Sequence, residues 1–310
     1  MKAAYLMIFA ILLGCSDRRP RDNRVGDQIE SLDISPDDRK VLLLSTRDGA
    51  TTVFEINTDG RSPRLILEPP GDAIFSNPRY SPDGKKIVFI KRFKKSLWES
   101  TVFVSNSDGT GIKELTHGGE LVTEAIFSSR GGDVLYCSAK QYNSSKTKGT
   151  TDVRGFDIYA IDAGDRKATK LSKLNALGIE HLSEINEKYI LFHLNAGKKS
   201  GIYSFEKDNP ANTLKIFPVN GTQESNLLDK PGYAPDRFLV FTAFSELYAM
   251  NLITRKADLI YDTKGGHLIQ MLKGFHTTPR VLFKKFDEPS LTSLNTDGTE
   301  VRSIDVEFPE

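Results

Sequence analysis

Short apolar runs, each closed by polar turn residues, recur along most of the chain. Val41-Leu42-Leu43-Leu44, Ile87-Val88-Phe89-Ile90, Val134-Leu135-Tyr136, Tyr189-Ile190-Leu191-Phe192, Phe238-Leu239-Val240-Phe241 and Val281-Leu282-Phe283 are six such runs. They are too short for helices and rich in β-branched and aromatic residues, so they predict strands buried on both faces. A second run follows each of them, as Val102-Phe103-Val104 follows Ile87–Ile90. The pattern returns at intervals of roughly forty-odd residues, the period of a repeat architecture.

The punctuation between the runs repeats as well. Ser35-Pro36-Asp37, Ser81-Pro82-Asp83 and Ala234-Pro235-Asp236 precede second strands, and Asp59-Gly60, Asp108-Gly109 and Asp297-Gly298 follow third strands. Pro pre-sets φ for a turn, Asp accepts turn amides and Gly permits positive φ. These aspartates therefore read as turn-formers rather than as catalytic acids. Each unit closes with a short fourth stretch such as Ile112-Lys113-Glu114-Leu115-Thr116. Four antiparallel strands repeated six times predict an all-β fold, a six-bladed β-propeller of four-stranded antiparallel blades. The blades are expected over about 31–70, 73–118, 121–174, 178–218, 226–261 and 267–306. Blade four is degenerate, with Ile185-Asn186-Glu187 in place of the Ser-Pro-Asp turn, and the first strand of blade six has the weakest pattern. Residues Asp22 to Glu30 are a candidate outer strand for blade six, which would close the ring.

The string Ser81-Pro82-Asp83-Gly84-Lys85-Lys86-Ile87-Val88-Phe89, with Val102–Gly109 and Glu114-Leu115-Thr116 after it, resembles the TolB-type repeat. Phe156-Asp157-Ile158-Tyr159-Ala160-Ile161-Asp162 repeats the theme, and the resemblance covers about residues 30–306. It implies the propeller fold and leaves function open. Such repeats occur in periplasmic Tol-system proteins, in prolyl peptidases and in bacterial lipoproteins. The Gly-x-Ser-x-Gly motif of the peptidases' hydrolase domain is absent from these residues.

The N-terminus reads as an address. Lys2 precedes the apolar stretch Ala3–Leu13, too short to cross about 30 Å of hydrocarbon and suited to a signal h-region. Leu12-Leu13-Gly14-Cys15 resembles the lipobox of bacterial lipoproteins. The resemblance implies a signal peptide over 1–14, a lipid on Cys15, a flexible tether over 15–29 and a propeller over 30–310. The protein is then expected at the bacterial cell envelope, bound to the membrane through its lipid and facing the periplasm or the cell exterior.

Charge narrows the partners. Lys and Arg total 42 against 41 Asp and Glu, so no net field draws the chain to nucleic acid, and an exported protein meets little of it. There are two cysteines, Cys15 and Cys137, hence no disulfide framework. Cys137 lies in the strand run Val134–Cys137 and is expected as a buried thiol. No phosphate-binding loop or metal-binding spacing is present, and no cofactor is expected.

Two constellations remain. Strands two and three of several blades are joined by basic segments, which a propeller gathers on one face. Arg92, Phe93, Lys94, Lys95 and Trp98 belong to blade two, and Lys140, Tyr142, Lys146, Lys148 and Arg154 to blade three. Lys198-Lys199 and Lys284-Lys285 extend the set. Charges beside aromatics on loops of a rigid scaffold predict a binding face for an envelope protein or an anionic glycan. The segment Lys140–Gly155 is polar and reads as a variable insertion or, alternatively, a lid. The second constellation is His117, His181 and His267, each near the start of a blade. Were they to converge with a carboxylate such as Glu124 or Glu180, they would form a metal site. These features predict a non-enzymatic binding or scaffolding lipoprotein. The alternative is a metal-dependent lyase or hydrolase acting on an anionic polysaccharide.

Overall fold

The turn between the first two strands of a blade is a local hydrogen-bonded clip. Ser81 Oγ donates to Asp83 Oδ1 at 2.6 Å and accepts the Lys86 amide at 2.9 Å, while Asp83 Oδ1 accepts the Lys85 amide at 3.1 Å. Ser35 and Asp37 repeat the clip at 2.6, 2.9 and 3.1 Å. Each clip satisfies the turn's own polar groups, so a hairpin forms wherever the sequence motif recurs.

The computed structural model describes residues 28–309, except 95, 146–149, 165, 221–226 and 237. Six four-stranded antiparallel sheets are each built from four consecutive strands. This is the predicted six-bladed propeller. The inner strands are Gln28–Ile34, Ala73–Tyr80, Leu121–Phe127, Gly178–Ile185, Leu228–Ala234 and Ile269–Gly274.

The core lies between blades. In the second strand of blade two, Ile87, Val88, Phe89 and Ile90 are all fully buried. Ile87 and Phe89 pack with Leu42, Leu44 and Val53 of blade one. Val88 and Ile90 point the other way and pack with Val122, Phe127 and Tyr136 of blade three. Strand alternation thus joins each blade to both neighbours, which is why these runs are continuously apolar. Each fully buried side chain of this kind contributes about 1.5–3 kcal/mol.

The ring closes by the same means. Ile29, Leu32 and Leu43 of blade one share a core with Met271, Phe275 and Leu282 of blade six. The Asp38 carboxylate accepts the His276 and Thr277 amides at 2.7 and 2.8 Å. The C-terminal tail then laps back over blade one. The Glu307 amide donates to the Gly60 carbonyl at 2.9 Å, and Phe308 packs on Phe54 with centroids 5.5 Å apart. Gly60 has φ +91°, and a Cβ there would stand 2.0 Å from the Asp305 carbonyl oxygen, so the tail needs glycine at this turn.

Two expectations are corrected. Residues 22–30 do not supply blade six with its outer strand. Gln28–Glu30 belong to the inner strand of blade one, Arg302–Ile304 is the outer strand of blade six, and 22–27 lie outside the described residues. The blade-three segment, read as part of the connection between strands two and three, extends those strands instead. Asp133–Ser145 pairs with Thr150–Asp162 out to Ser145↔Thr150, making one long hairpin.

Candidate functional site

Each inner strand breaks register with its neighbour once, at a corresponding level. The breaks fall between Ile29 and Ser31, Ser76 and Arg79, Val122 and Glu124, Glu180 and Ser183, Asp229 and Gly232, and Ile269 and Met271. A bulge turns residues out of the ladder, and here they sit on the strands that line the channel. Asn77, His181 and Lys230 take left-handed backbone there, with φ of +53°, +56° and +50°. Asn and His tolerate that conformation; for Lys it stores strain on the order of 1–3 kcal/mol.

The bulged residues link blade to blade around the axis. Asn77 Nδ2 of blade two donates to Glu124 Oε2 of blade three at 2.7 Å, and the His181 amide of blade four donates to Glu124 Oε1 at 3.3 Å. Asp229 of blade five is the hub. Its Oδ2 pairs with Lys230 Nζ at 2.6 Å, and its Oδ1 accepts the Lys230 amide at 2.7 Å. The same Oδ1 faces His181 Nε2 at 3.7 Å and His193 Nδ1 at 3.6 Å. Glu180 completes the group, with one ligand-type atom from each of Glu180, His181 and Asp229 lying within 4.8 Å of the others. Across the channel, Lys273 Nζ of blade six lies 3.8 Å from Asp33 Oδ1 of blade one, and Arg79 Nη1 donates to the Leu32 carbonyl at 2.9 Å.

Enclosure by protein sets the charge states. Burial raises the Glu180 carboxyl to about 7, and the nearby Asp229 and Glu124 carboxylates push it the same way. Burial lowers His181 to about 3 and lowers His193 too, against the attraction of Asp229. Burial also works to raise the Asp229 carboxyl, but the Lys230 ammonium overcomes it and holds that carboxyl well below its ordinary range. Near neutral pH the cluster therefore holds an ionised aspartate, an ammonium and two neutral imidazoles. Behind it, Cys137 is fully buried, as expected, and burial pushes its thiol well above its ordinary range. That thiol is inert.

The expected histidine trio does not converge. His117 is 82% exposed beside Glu114, and His267 pairs with Glu288 at 4.0 Å. Only His181 reaches the channel cluster, and its histidine partner is His193 of the adjacent second strand, with a side chain 13% exposed. His193 packs within the second strand of blade four, with one ring nitrogen turned to Asp229.

The basic face is reduced among the described residues. Phe93 and Lys94 are exposed at the turn after Lys86–Phe93, as are Lys198 and Lys199 in a 3-10 turn. Arg92 is half-buried, and its Nε has no hydrogen-bond partner. Lys284 leaves the set. It is 6% exposed, and its Nζ donates to Gln270 Oε1 at 3.0 Å, because its strand continues past the apolar run to Lys285. Lys285 is paired with Glu288 at 2.8 Å. Cys15, Lys95, Lys146 and Lys148 lie outside the described residues, as do the side chains of Trp98, Lys140, Tyr142 and Arg154.

The sequence did hold a signal for the channel residues. Counting back five positions from the turn residues Ser35, Ser81, Ser128, Ile185, Ala234 and Phe275 gives Glu30, Ser76, Thr123, Glu180, Asp229 and Gln270. All six are polar, and each directly follows an apolar residue: Ile29, Phe75, Val122, Ile179, Leu228 and Ile269.

The arrangement defines the class, a six-bladed propeller with charged side chains on its inner strands. No protein-family model matches the sequence, and no curated protein matches it. Solved structures do. The chain is similar to TolB from Acinetobacter baumannii at 14% identity and a TM-score of 0.65, over 84% of this chain and 62% of that one. It is similar to an oligogalacturonate lyase in complex with manganese at 12% identity and a TM-score of 0.60, over 88% and 75% of the two chains. It is also similar to the tricorn protease at 16% identity and a TM-score of 0.64, over 92% of this chain and 27% of that one. The chain thus spans less than two thirds of TolB's length. At these identities the likeness is one of fold.

Proposed function

We propose that the chain is a non-enzymatic binding propeller, held at the bacterial cell envelope by a lipid on Cys15, that grips an envelope protein with one face. A single observation carries this reading. Inner strands begin, and strands two and three turn, at the same end of every blade. That end therefore gathers Phe93, Lys94, Lys198, Lys199 and the long hairpin of blade three around the channel mouth. A rigid ring that presents mixed aromatic and cationic loops beside a charged opening suits capture of an acidic protein segment.

The test is site-specific photocrosslinking from position 94 or 198 in the full-length, membrane-bound protein. A discrete protein adduct is expected, lost when Lys94, Lys198 and Lys199 are all changed to Glu. Adducts that survive the reversal, or glycan adducts alone, would refute a protein partner on this face.

A second reading has one observation in its favour, the convergence of the His181 imidazole with the Glu180 and Asp229 carboxylates in the channel. It is a metal-dependent lyase or hydrolase of an anionic polysaccharide. Turnover of polyuronate oligosaccharides by purified protein supplied with manganese would establish it, and no turnover would remove it.

A further inference from the structure

Three donor atoms in the channel stand at a spacing that no ordinary contact explains. His181 Nε2 and His193 Nδ1 lie 3.7 and 3.6 Å from the same oxygen, Asp229 Oδ1. These gaps are too long for hydrogen bonds, which close at about 2.7–3.2 Å. They are short for unrelated groups in a channel with room to relax. Donors sharing a tetrahedral metal at about 2.1 Å stand about 3.4 Å apart.

Two further observations point the same way. His193 Nδ1 is buried with no hydrogen-bond partner, and a polar atom orphaned in a protein interior is rare unless something else satisfies it. The Glu180 carboxyl stands beside the Asp229 and Glu124 carboxylates, and its ligand-type atom lies within 4.8 Å of those of His181 and Asp229. Asp229 is meanwhile divided in its duties. Oδ2 is occupied by the Lys230 ammonium, which fixes the rotamer, and Oδ1 accepts the Lys230 amide while its remaining lone pair faces the imidazoles. A second-shell partner of this kind orients a metal-ligating carboxylate.

We infer that Glu180, His181 and Asp229, whose ligand atoms lie within 4.8 Å of one another, form a site for one divalent transition-metal ion inside the channel, on the side of blades four and five, with His193 facing Asp229 Oδ1 beside them. An imidazole nitrogen with two carboxylates, backed by a second imidazole, favours zinc, manganese or cobalt over calcium and magnesium, which prefer all-oxygen shells. The site is independent of whether the protein binds a partner or turns over a substrate. It is also distinct from the His117, His181 and His267 trio, of which it keeps one member.

Full-length protein stripped with a chelator and titrated with Zn²⁺, Mn²⁺, Co²⁺, Ca²⁺ and Mg²⁺ tests the inference by calorimetry. The Co²⁺ form adds a visible spectrum that reports nitrogen ligation. One equivalent of transition ion is expected, with a rise in melting temperature and little response to Ca²⁺ or Mg²⁺. His193→Gln leaves the Asp229–Lys230 pair intact, so it reads ligation separately from folding. It should weaken binding by about 10–100-fold, no less than loss of an outer-shell partner does, and shift the Co²⁺ spectrum. His181→Gln should do the same. No stoichiometric ion, equal affinity for Ca²⁺, or affinity and spectrum unchanged in both variants would overturn the site and leave Lys230 as the cluster's only cation.

Discussion

Lys273 is where the channel's charges can be read most directly. Its ammonium lies 3.8 Å from Asp33 Oδ1, with Arg79 repelling it, Glu124 attracting it, and His181 within its field. Burial comes first among the causes and lowers its pKa to about 8, with Arg79 adding to it and Asp33 opposing. The unfolded chain returns the group to an ordinary value of about 10.4. Between pH 8 and that value the unfolded state binds more protons, so stability contributed by this residue rises with pH. Below pH 8 the penalty is fully present. Urea unfolding of metal-free protein at several pH values should show the wild type gaining about 1–3 kcal/mol relative to Lys273→Met across that window. A flat difference would mean that Lys273 is solvated. At this scale the sequence was least legible. Glu180, His181, His193 and Asp229 come from two blades, and each is a single polar position inside a strand pattern that otherwise describes packing. Distance in the chain hides what the ring brings within 4 Å. The trio His117, His181 and His267 failed because blade starts are not equivalent in depth. His117 and His267 sit in connections before their strands, whereas His181 is the fourth residue of its strand.

Among the elements, the turns were the most legible because their physics is local. Ser81, Pro82 and Asp83 build their clip from neighbours at most five residues apart, and any chain carrying them in that order can form it. Ser81→Ala should cost about 1–2 kcal/mol by chemical denaturation. It removes a buried hydroxyl that satisfies the Lys86 amide, and no other acceptor replaces it. Arg130 stands where Asp83 would, yet the blade-three hairpin still forms, so the clip stabilises a turn that strand pairing already specifies. The long hairpin of blade three was misread for the opposite reason. Between Ala139 and Gly155 the sequence is largely polar, so no apolar alternation marked these residues as strands. The inner half carries Cys137, Ala139, Phe156 and Ile158 into the core. Replacing residues 141–153 with a two-residue Asn-Gly turn should therefore leave the melting temperature close to wild type while removing one wall of the proposed binding face.

On the scale of the whole molecule, stability depends on closing a ring whose first and last blades are joined by no strand exchange. Each blade is assembled from contiguous chain, so the described residues join blades one and six through side-chain packing, the Lys273–Asp33 ion pair, the contacts of His276 and Thr277 with Asp38 and Ile34, and the tail after Ile304. The tail has three holds on blade one: the Glu307 amide on Gly60, the Glu307 carboxylate accepting the Ser62 amide at 3.1 Å, and Phe308 against Phe54. If this latch matters, its loss should loosen one seam rather than the whole ring. Phe308→Ala removes a half-buried ring, and the expected cost is about 1–3 kcal/mol, below the 3–5 kcal/mol typical of a fully buried phenylalanine. Hydrogen exchange gives the sharper reading. In a ring of nearest-neighbour interfaces, a weakened seam lowers the opening free energy of the blades beside it before it affects those opposite. Amides of the inner strands Gln28–Ile34 and Ile269–Gly274 should exchange faster in the variant, while those of Leu121–Phe127 and Gly178–Ile185 keep their protection. Uniform acceleration in all six blades would mean that the ring opens only as a unit and that the tail contributes to global stability without acting as a latch.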